Sequence, residues 1–234
     1  MAKTVLGGYW ESAYRSGHVP WDPGEYDKHL PRILKDHGLE PGPALDIGCG
    51  EGKSAVWLAS RGFDVLGVDV APTAIQRAQA HRGSVPDAPD AGDPSAGRMP
   101  AGRVPAGRMP AGRAHFAVAA FPDDVPALAP EVGAEGGFRF IMERGLLQHM
   151  RSPGDHAPFL EAVAEWLAPE GLFYALIAKR EGAHRFAGPP TWTEEDVRSA
   201  VAPALELVEL RGSVFTPEER GSIPAWVVVA RRSR

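Results

Sequence analysis

The stretch PALDIGCGEGKSAVWLASRGFDVLGVDV, from Pro43 to Val70, decides how the rest of the chain is read. Ala44 to Ile47 is a short apolar run, and Gly48, Gly50 and Gly52 follow it at every second position. Ser54 to Ser60 carries a helical stripe, Arg61-Gly62 stops it, and Asp64 to Val70 is a second apolar run that holds Asp69. A tight glycine turn from a parallel strand into a helix lets a ligand approach bare backbone. An acid about 20 residues further on, at the tip of the next strand, is positioned to accept hydrogen bonds from ribose hydroxyls. The unit reads as a nucleoside-binding half-fold.

Outward from this unit, strands and helices alternate. Pro72 opens a helix running to about His81, with Ala74, Ile75 and Ala78 facing inward. His115 to Phe121 and Phe138 to Met142 read as strands, Asp155 to Leu167 as an amphipathic helix, and Leu172 to Ala178 as another strand. Thr193 and Asp196 form a capping box for the next helix. Leu205 to Leu210 and Trp226 to Ala230 are two strands with no helix between them. The pattern predicts a doubly wound α/β sheet ending in a hairpin. Upstream, residues 1–24 are aromatic and read as irregular, with Pro20, Pro23 and Gly24 favouring a loop across Trp21. Tyr9, Trp10, Tyr14 and Trp21 are expected either to cover the domain as a hydrophobic flap or to lid a ligand. A helix is predicted over Glu25 to His37, stopped by Gly38, with Pro31 marking a kink or a delayed start. The expected division is an aromatic lid and helix over residues 1–38 and the main domain over residues 39–234.

The composition breaks between Ser84 and Ala114, where AGRMP-AGRVP-AGRMP-AGRA runs from Ala96. Its five-residue period matches neither helix, strand nor collagen triplet, so a flexible surface insertion is expected. Arg98, Arg103, Arg108 and Arg113 could attract an acidic partner, but Asp87, Asp90 and Asp93 nearly balance them, which favours a solvated loop. Over 234 residues the formal charge is -5, which gives no bulk reason to expect nucleic acid or anionic membrane as partner. No apolar run nears the ~20 residues of a membrane helix, no signal peptide opens the chain, and a cytoplasmic location is expected. The single cysteine, Cys49, lies inside the glycine turn, so neither a disulfide framework nor a metal site is expected; it reads as a small buried turn residue.

Three glycine-loop patterns compete for the central stretch. A dinucleotide GxGxxG counted from Gly48 and Gly50 needs its third glycine where Lys53 stands. A phosphate-binding GxxxxGK[ST] ends correctly at Gly52-Lys53-Ser54 but needs its first glycine where Ile47 stands. The third pattern, DxGxGxG, fits Asp46-Ile47-Gly48-Cys49-Gly50-Glu51-Gly52, followed by Asp69. In this motif and its spacing the chain resembles the class I S-adenosylmethionine-dependent methyltransferases. The resemblance implies a Rossmann-like, seven-stranded, mostly parallel sheet with an antiparallel C-terminal hairpin. It also implies S-adenosylmethionine as cofactor, with the glycine turn and Asp46 at its methionine end and Asp69, with Val70, at its ribose. The acid that often follows the third strand and meets adenine is missing, since Ala119-Ala120-Phe121 stands there; backbone, or Asp123 or Asp124 reaching back, would substitute. Lys53 is read as starting a solvent-facing helix turn.

The leader, Trp10-Glu11 through Tyr14-Arg15-Ser16-Gly17 to Pro20-Trp21-Asp22-Pro23-Gly24, is similar to that of the thiol, thiopurine, halide and tellurite-resistance branch. That likeness implies a small-molecule acceptor. Methyl transfer from a sulfonium is an in-line displacement, so proximity and orientation in a dry pocket supply most of the catalysis. Tyr9, Trp10, Tyr14 and Trp21 could offer π faces to the cation, each worth about 0.5–2 kcal/mol. Glu143-Arg144-Gly145 follows the fourth strand, where ligands gather in such sheets. His149 is a candidate general base and Glu143 a second candidate catalytic residue, against a packed histidine as the plainer alternative. Gln148 stands where related enzymes often carry another histidine, which argues against a metal pair. Lys179, Arg180, His184 and Arg185 could recognise an acidic acceptor or simply be solvated. Two other readings stay open: a cofactor-binding enzyme doing non-methyl chemistry such as cyclisation, and a scaffold protein using the arginine repeat.

Overall fold

The computed structural model describes residues 2–81 (side chains from residue 7), 112–150, 152–180, 190–215 and 223–232. The glycine turn sits between β1 (Pro43–Ile47) and α3 (Lys53–Ser60), and β2 (Asp64–Asp69) follows. The chain then forms α4 (Pro72–His81), β3 (Ala114–Val118), α5 (Val125–Leu128), β4 (Phe138–Arg144), α6 (Pro153–Trp166) and β5 (Leu167–Ala178). It closes with α7 (Glu194–Val201), β6 (Leu205–Phe215) and β7 (Ile223–Arg232). The strands form one seven-stranded sheet in the order β3-β2-β1-β4-β5-β7-β6. β1 to β5 pair in parallel, and β7 inserts antiparallel between β5 and β6. The doubly wound sheet with a terminal hairpin is as the sequence predicts.

Alternation along the strands feeds two cores. On β5, Phe173, Ala175 and Ile177 face the side covered by α6 and α7, while Leu172, Tyr174 and Leu176 face the side covered by α3 and α4. Both faces are dry because the sheet is covered twice, which is why its strands read as continuous apolar runs. The turn where β1 meets α3 therefore lies at the carboxyl edge of a rigid sheet, where such folds hold their ligands.

The leader differs from its expected form. Residues 2–16 are a helix, α1 (Ala2–Ser16), ended by Gly17 at φ 76°. Gly7-Gly8 lowers helix propensity and hides the pattern, but Trp10 and Tyr14, one turn apart, both pack against Trp21. The segment through Trp21 to Gly24 is a loop as expected. The predicted helix over Glu25 to His37 starts late, as α2 (Leu30–Asp36), with Pro31 in its first turn. The Asp27 carboxylate accepts from His29 N–H at 2.9 Å, a local turn that competes with helix. Leu30 and Ile33 are fully buried in the same core as α3, so α2 belongs to the main layer. β3 stops at Val118 rather than Phe121, since Ala120 N–H turns to the Asp124 carboxylate at 2.8 Å. The AGR repeats with Arg98, Arg103 and Arg108, and likewise His184 and Arg185, lie outside the described residues. Among the described residues no helix is long and apolar enough to cross a membrane.

Candidate active site

Gly48, Gly50 and Gly52 all take positive φ, 71°, 54° and 75°. Two of them also need the missing side chain. A Cβ on Gly50 would lie 2.7 Å from Tyr14 Oη, and one on Gly52 would lie 2.6 Å from the Phe116 ring. Gly48 and Cys49 both donate their N–H to Val68 O, at 2.8 and 3.0 Å, which ties the turn to β2. Asp69 completes it: Oδ2 accepts from Gly50 N–H at 3.0 Å and Oδ1 from Ala71 N–H at 2.9 Å. Asp69 is 9% exposed, and burial raises its carboxyl above the ordinary range. Val70 next to it is 41% exposed.

Asp46 stands one strand over, in register with Gly67 on β2 and Met142 on β4. It is 3% exposed and lines the cavity beside the turn, where its carboxylate makes no hydrogen bond to any described residue. Burial, then the charges of Asp69 and Asp27, push it up to about 7. A cavity of about 70 Å³ opens here, walled by the turn, Asp46, Tyr14, Trp21, Lys53 and Arg144. The Cys49 thiol also lines it, pushed well above its usual value first by burial and then by Asp46, as expected of an inert turn residue.

The leader is fastened over this turn. Tyr14 is 4% exposed and its hydroxyl, pushed up by burial and the charge of Asp69, accepts from Trp21 Nε1 at 3.3 Å. Trp10 packs edge-on against Trp21 at 4.9 Å and against His149 at 5.4 Å. Trp10, Tyr14, Trp21 and His149, chosen from separate parts of the sequence, thus form one aromatic wall. Glu11 accepts from Thr73 N–H at 2.9 Å and Oγ1 at 2.7 Å, capping α4. Lys53 does not face solvent: its Nζ lies 2.7 and 2.6 Å from the two Asp22 carboxylate oxygens and 3.2 Å from Glu51. The reason is that Asp22 follows Trp21 back over the turn, which residue order alone does not reveal.

The two catalytic candidates sit differently. Glu143 is fully buried at the end of β4, and Oε2 accepts from the N–H groups of Leu146 and Leu147 at 2.7 and 3.2 Å. Burial pushes it up to about 7 despite those bonds, and it does not line the cavity. His149 is half-buried beside Trp10, and burial lowers it, so the ring is uncharged at neutral pH. Gln148 is structural: Oε1 accepts from Ala178 N–H at 2.7 Å, bridging the loop to β5. Asp124 reaches back, but onto backbone Ala120. Asp22, Asp27, Glu51, Lys53, Arg77 and Arg144, which no sequence pattern marks as site residues, tie the leader to α3, α4, the glycine turn and the sheet. Only the acid in the PWDPG segment offered a signal, and its partner lies 31 residues away.

The seven-stranded sheet, with β7 antiparallel between β5 and β6, is the fold that the resemblance implies. Residues 6–104 match the family model described as Thiopurine S-methyltransferase (TPMT). Over 88 residues the chain is 33% identical to the "Probable thiol methyltransferase 2" of Arabidopsis thaliana, a span of 38% of each chain. It is 40% identical over 79 residues to the "2-heptyl-1-hydroxyquinolin-4(1H)-one methyltransferase" of Mycobacteroides abscessus, covering 31% of this chain and 34% of that one. The chain spans about two fifths of the length of the curated relatives that it matches first, 38% and 39%. Among solved structures, Burkholderia thailandensis 1,6-didemethyltoxoflavin-N1-methyltransferase, with 1,6-didemethyltoxoflavin and S-adenosylhomocysteine bound, superposes with a TM-score of 0.66. The two are 20% identical, over 100% of this chain and 89% of that one.

Proposed function

We propose that the protein transfers a methyl group from S-adenosylmethionine to a small nucleophilic acceptor, a thiol or another S, O or N nucleophile. Asp46 carries the reading. A carboxylate with almost no exposure and no hydrogen-bond partner among the described residues is costly unless a cation meets it. The amino-acid end of the cofactor brings an ammonium group of the right charge, and a glycine turn beside it leaves room for close approach. Asp69 accepts two backbone N–H groups and keeps lone pairs for ribose hydroxyls at the tip of β2. Val70, exposed beside it, supplies an apolar contact for the base. When bound, the cofactor supplies an electrophilic methyl group.

The chain's own part is orientation and exclusion of water. Tyr14 and Trp21 line the cavity, Trp10 packs edge-on against Trp21, and together they keep the site dry. Glu143 holds the Leu146-Leu147 backbone, and so fixes His149 beside Trp10. His149, uncharged, can take the proton from a hydroxyl or amine acceptor; a thiolate needs no such base. One cysteine and the lack of a membrane-length helix among the described residues fit a cytoplasmic enzyme. The test is transfer of labelled methyl from S-adenosylmethionine to a panel of thiols, phenols, amines and halides. Labelled product from at least one class is expected; consumption of cofactor alone, with a new cofactor-derived product, would move the reading to non-methyl chemistry.

A further inference from the structure

The leader meets the main fold through an unbroken set of charges that the methyl-transfer reading does not require. Lys53 Nζ contacts Asp22 of the leader at 2.6 Å and Glu51 of the glycine turn at 3.2 Å. Glu51 in turn contacts Arg77 of α4 at 2.9 Å, and the same guanidinium donates to Tyr14 O at the end of α1 at 2.7 Å. On the opposite side of the cavity, Arg144 donates to Trp21 O at 2.9 Å and lies 3.8 Å from Asp27. Asp27 accepts from Tyr174 Oη at 2.8 Å. Both ends of the segment from Tyr14 to Asp22 are therefore held, and Tyr14 and Trp21 between them form the cavity roof.

The roof leaves little space. The cavity holds about 70 Å³, against the ~300 Å³ or more of ordinary small-molecule sites. A nucleoside cofactor enters this site only if the Tyr14 to Asp22 roof lifts, and lifting it separates Asp22 from Lys53 and Tyr14 from Arg77. Lys53 is 24% exposed and Asp22 12%, so the pair is shielded better than a surface ion pair. It still borders water, and salt can compete for it.

We infer that Lys53 is a positioning residue that latches the leader through Asp22 to Glu51 and Arg77, so that opening this latch sets the rate at which cofactor and its demethylated product exchange. The inference rests on the cofactor reading above for its exchange rates but not for the latch itself. It makes the glycine-turn lysine a gate element, with no phosphate role.

The test has two arms. In the first, hydrogen exchange of residues 9–24 is followed in the protein without ligand. Lys53→Met is expected to speed exchange of the leader amides about tenfold, and Lys53→Arg to leave them near wild type. In the second, S-adenosylhomocysteine dissociation is followed by tryptophan fluorescence. Lys53→Met and Asp22→Asn should each speed it about tenfold, with no further gain in the double variant. Salt near 0.5 M should bring wild type towards the variants and leave the variants unmoved. Unchanged leader exchange in Lys53→Met, or single effects that multiply in the double variant, would overturn the latch. If Lys53→Met melts early, Arg77→Gln, which frees Tyr14 O, replaces it with the same expectation. Wild type that binds no S-adenosylhomocysteine would sink the cofactor reading, while the exchange arm still decides the latch.

Discussion

Asp46→Asn separates what the site costs the fold from what it gives to binding. The Asp46 carboxyl stands at about 7, against 3.8 for an ordinary aspartate, a difference of about three units. Each unit is worth about 1.4 kcal/mol, so ionised Asp46 costs the fold about 4 kcal/mol at pH 8. The sign follows from a folded value above the unfolded one. The stability tied to the protonated form is complete below about pH 4 and is lost as pH rises to about 7. The amide removes the charge but buries donors without partners, at a cost of about 1–3 kcal/mol. At pH 8 the variant should gain about 2 kcal/mol, or about 4–8 °C in Tm for a chain of this length. At pH 5 the wild-type penalty has fallen to about 1.6 kcal/mol, and the gain should vanish. Thermal unfolding at both pH values reads this, and titration with S-adenosylmethionine should find affinity lowered about tenfold or more. A variant less stable than wild type at pH 8, or an equal shift at both pH values, would refute the burial argument.

Substitutions at three further positions probe the surrounding parts. Gly50→Ala adds a Cβ at φ 54° and 2.7 Å from Tyr14 Oη; it should cost about 1–3 kcal/mol by chemical denaturation and displace the leader, seen as changed tryptophan emission. Glu143→Gln keeps an acceptor for Leu146 and Leu147 N–H; turnover should fall less than about threefold, whereas Glu143→Ala should lower Tm by several degrees because two buried donors lose their partner. His149→Ala should lower kcat about 10²-fold or more with a phenol or amine acceptor and only a few-fold with a thiol, measured above pH 8; equal losses on all acceptors would assign the ring to packing against Trp10 alone.

The main sheet was legible because its signals are local. A DxGxGxG turn, two flanking apolar runs and an acid at the second strand's tip are read within 28 residues, Pro43 to Val70, and the paired strands follow from alternation. The site's second half depends on side chains far apart in the chain, which local patterns do not pair. Lys53 reads as solvent-facing from its local pattern, because Asp22, which meets its ammonium at 2.7 and 2.6 Å, arrives from the leader 31 residues away. Gly7-Gly8 masked α1, whose order comes from Trp10 and Tyr14 meeting Trp21 and from Glu11 capping α4. Glu143 reads by motif as a catalytic candidate, while its burial and its bonds to two backbone N–H groups come from the loop geometry after β4, which the motif does not show. Gln148 likewise fills a histidine's place in the motif and turns out to bridge the loop to β5 and the Trp192 indole.

The claim on which the rest depends is that Asp69 and the glycine turn hold a nucleoside methyl donor. Isothermal titration of S-adenosylhomocysteine into wild type and Asp69→Ala tests it most directly. The account predicts one-to-one binding by wild type, and at least about a hundredfold weaker binding once the carboxylate that would accept the ribose hydroxyls is gone. No heat from wild type at millimolar ligand, or equal affinity in the two proteins, would contradict it.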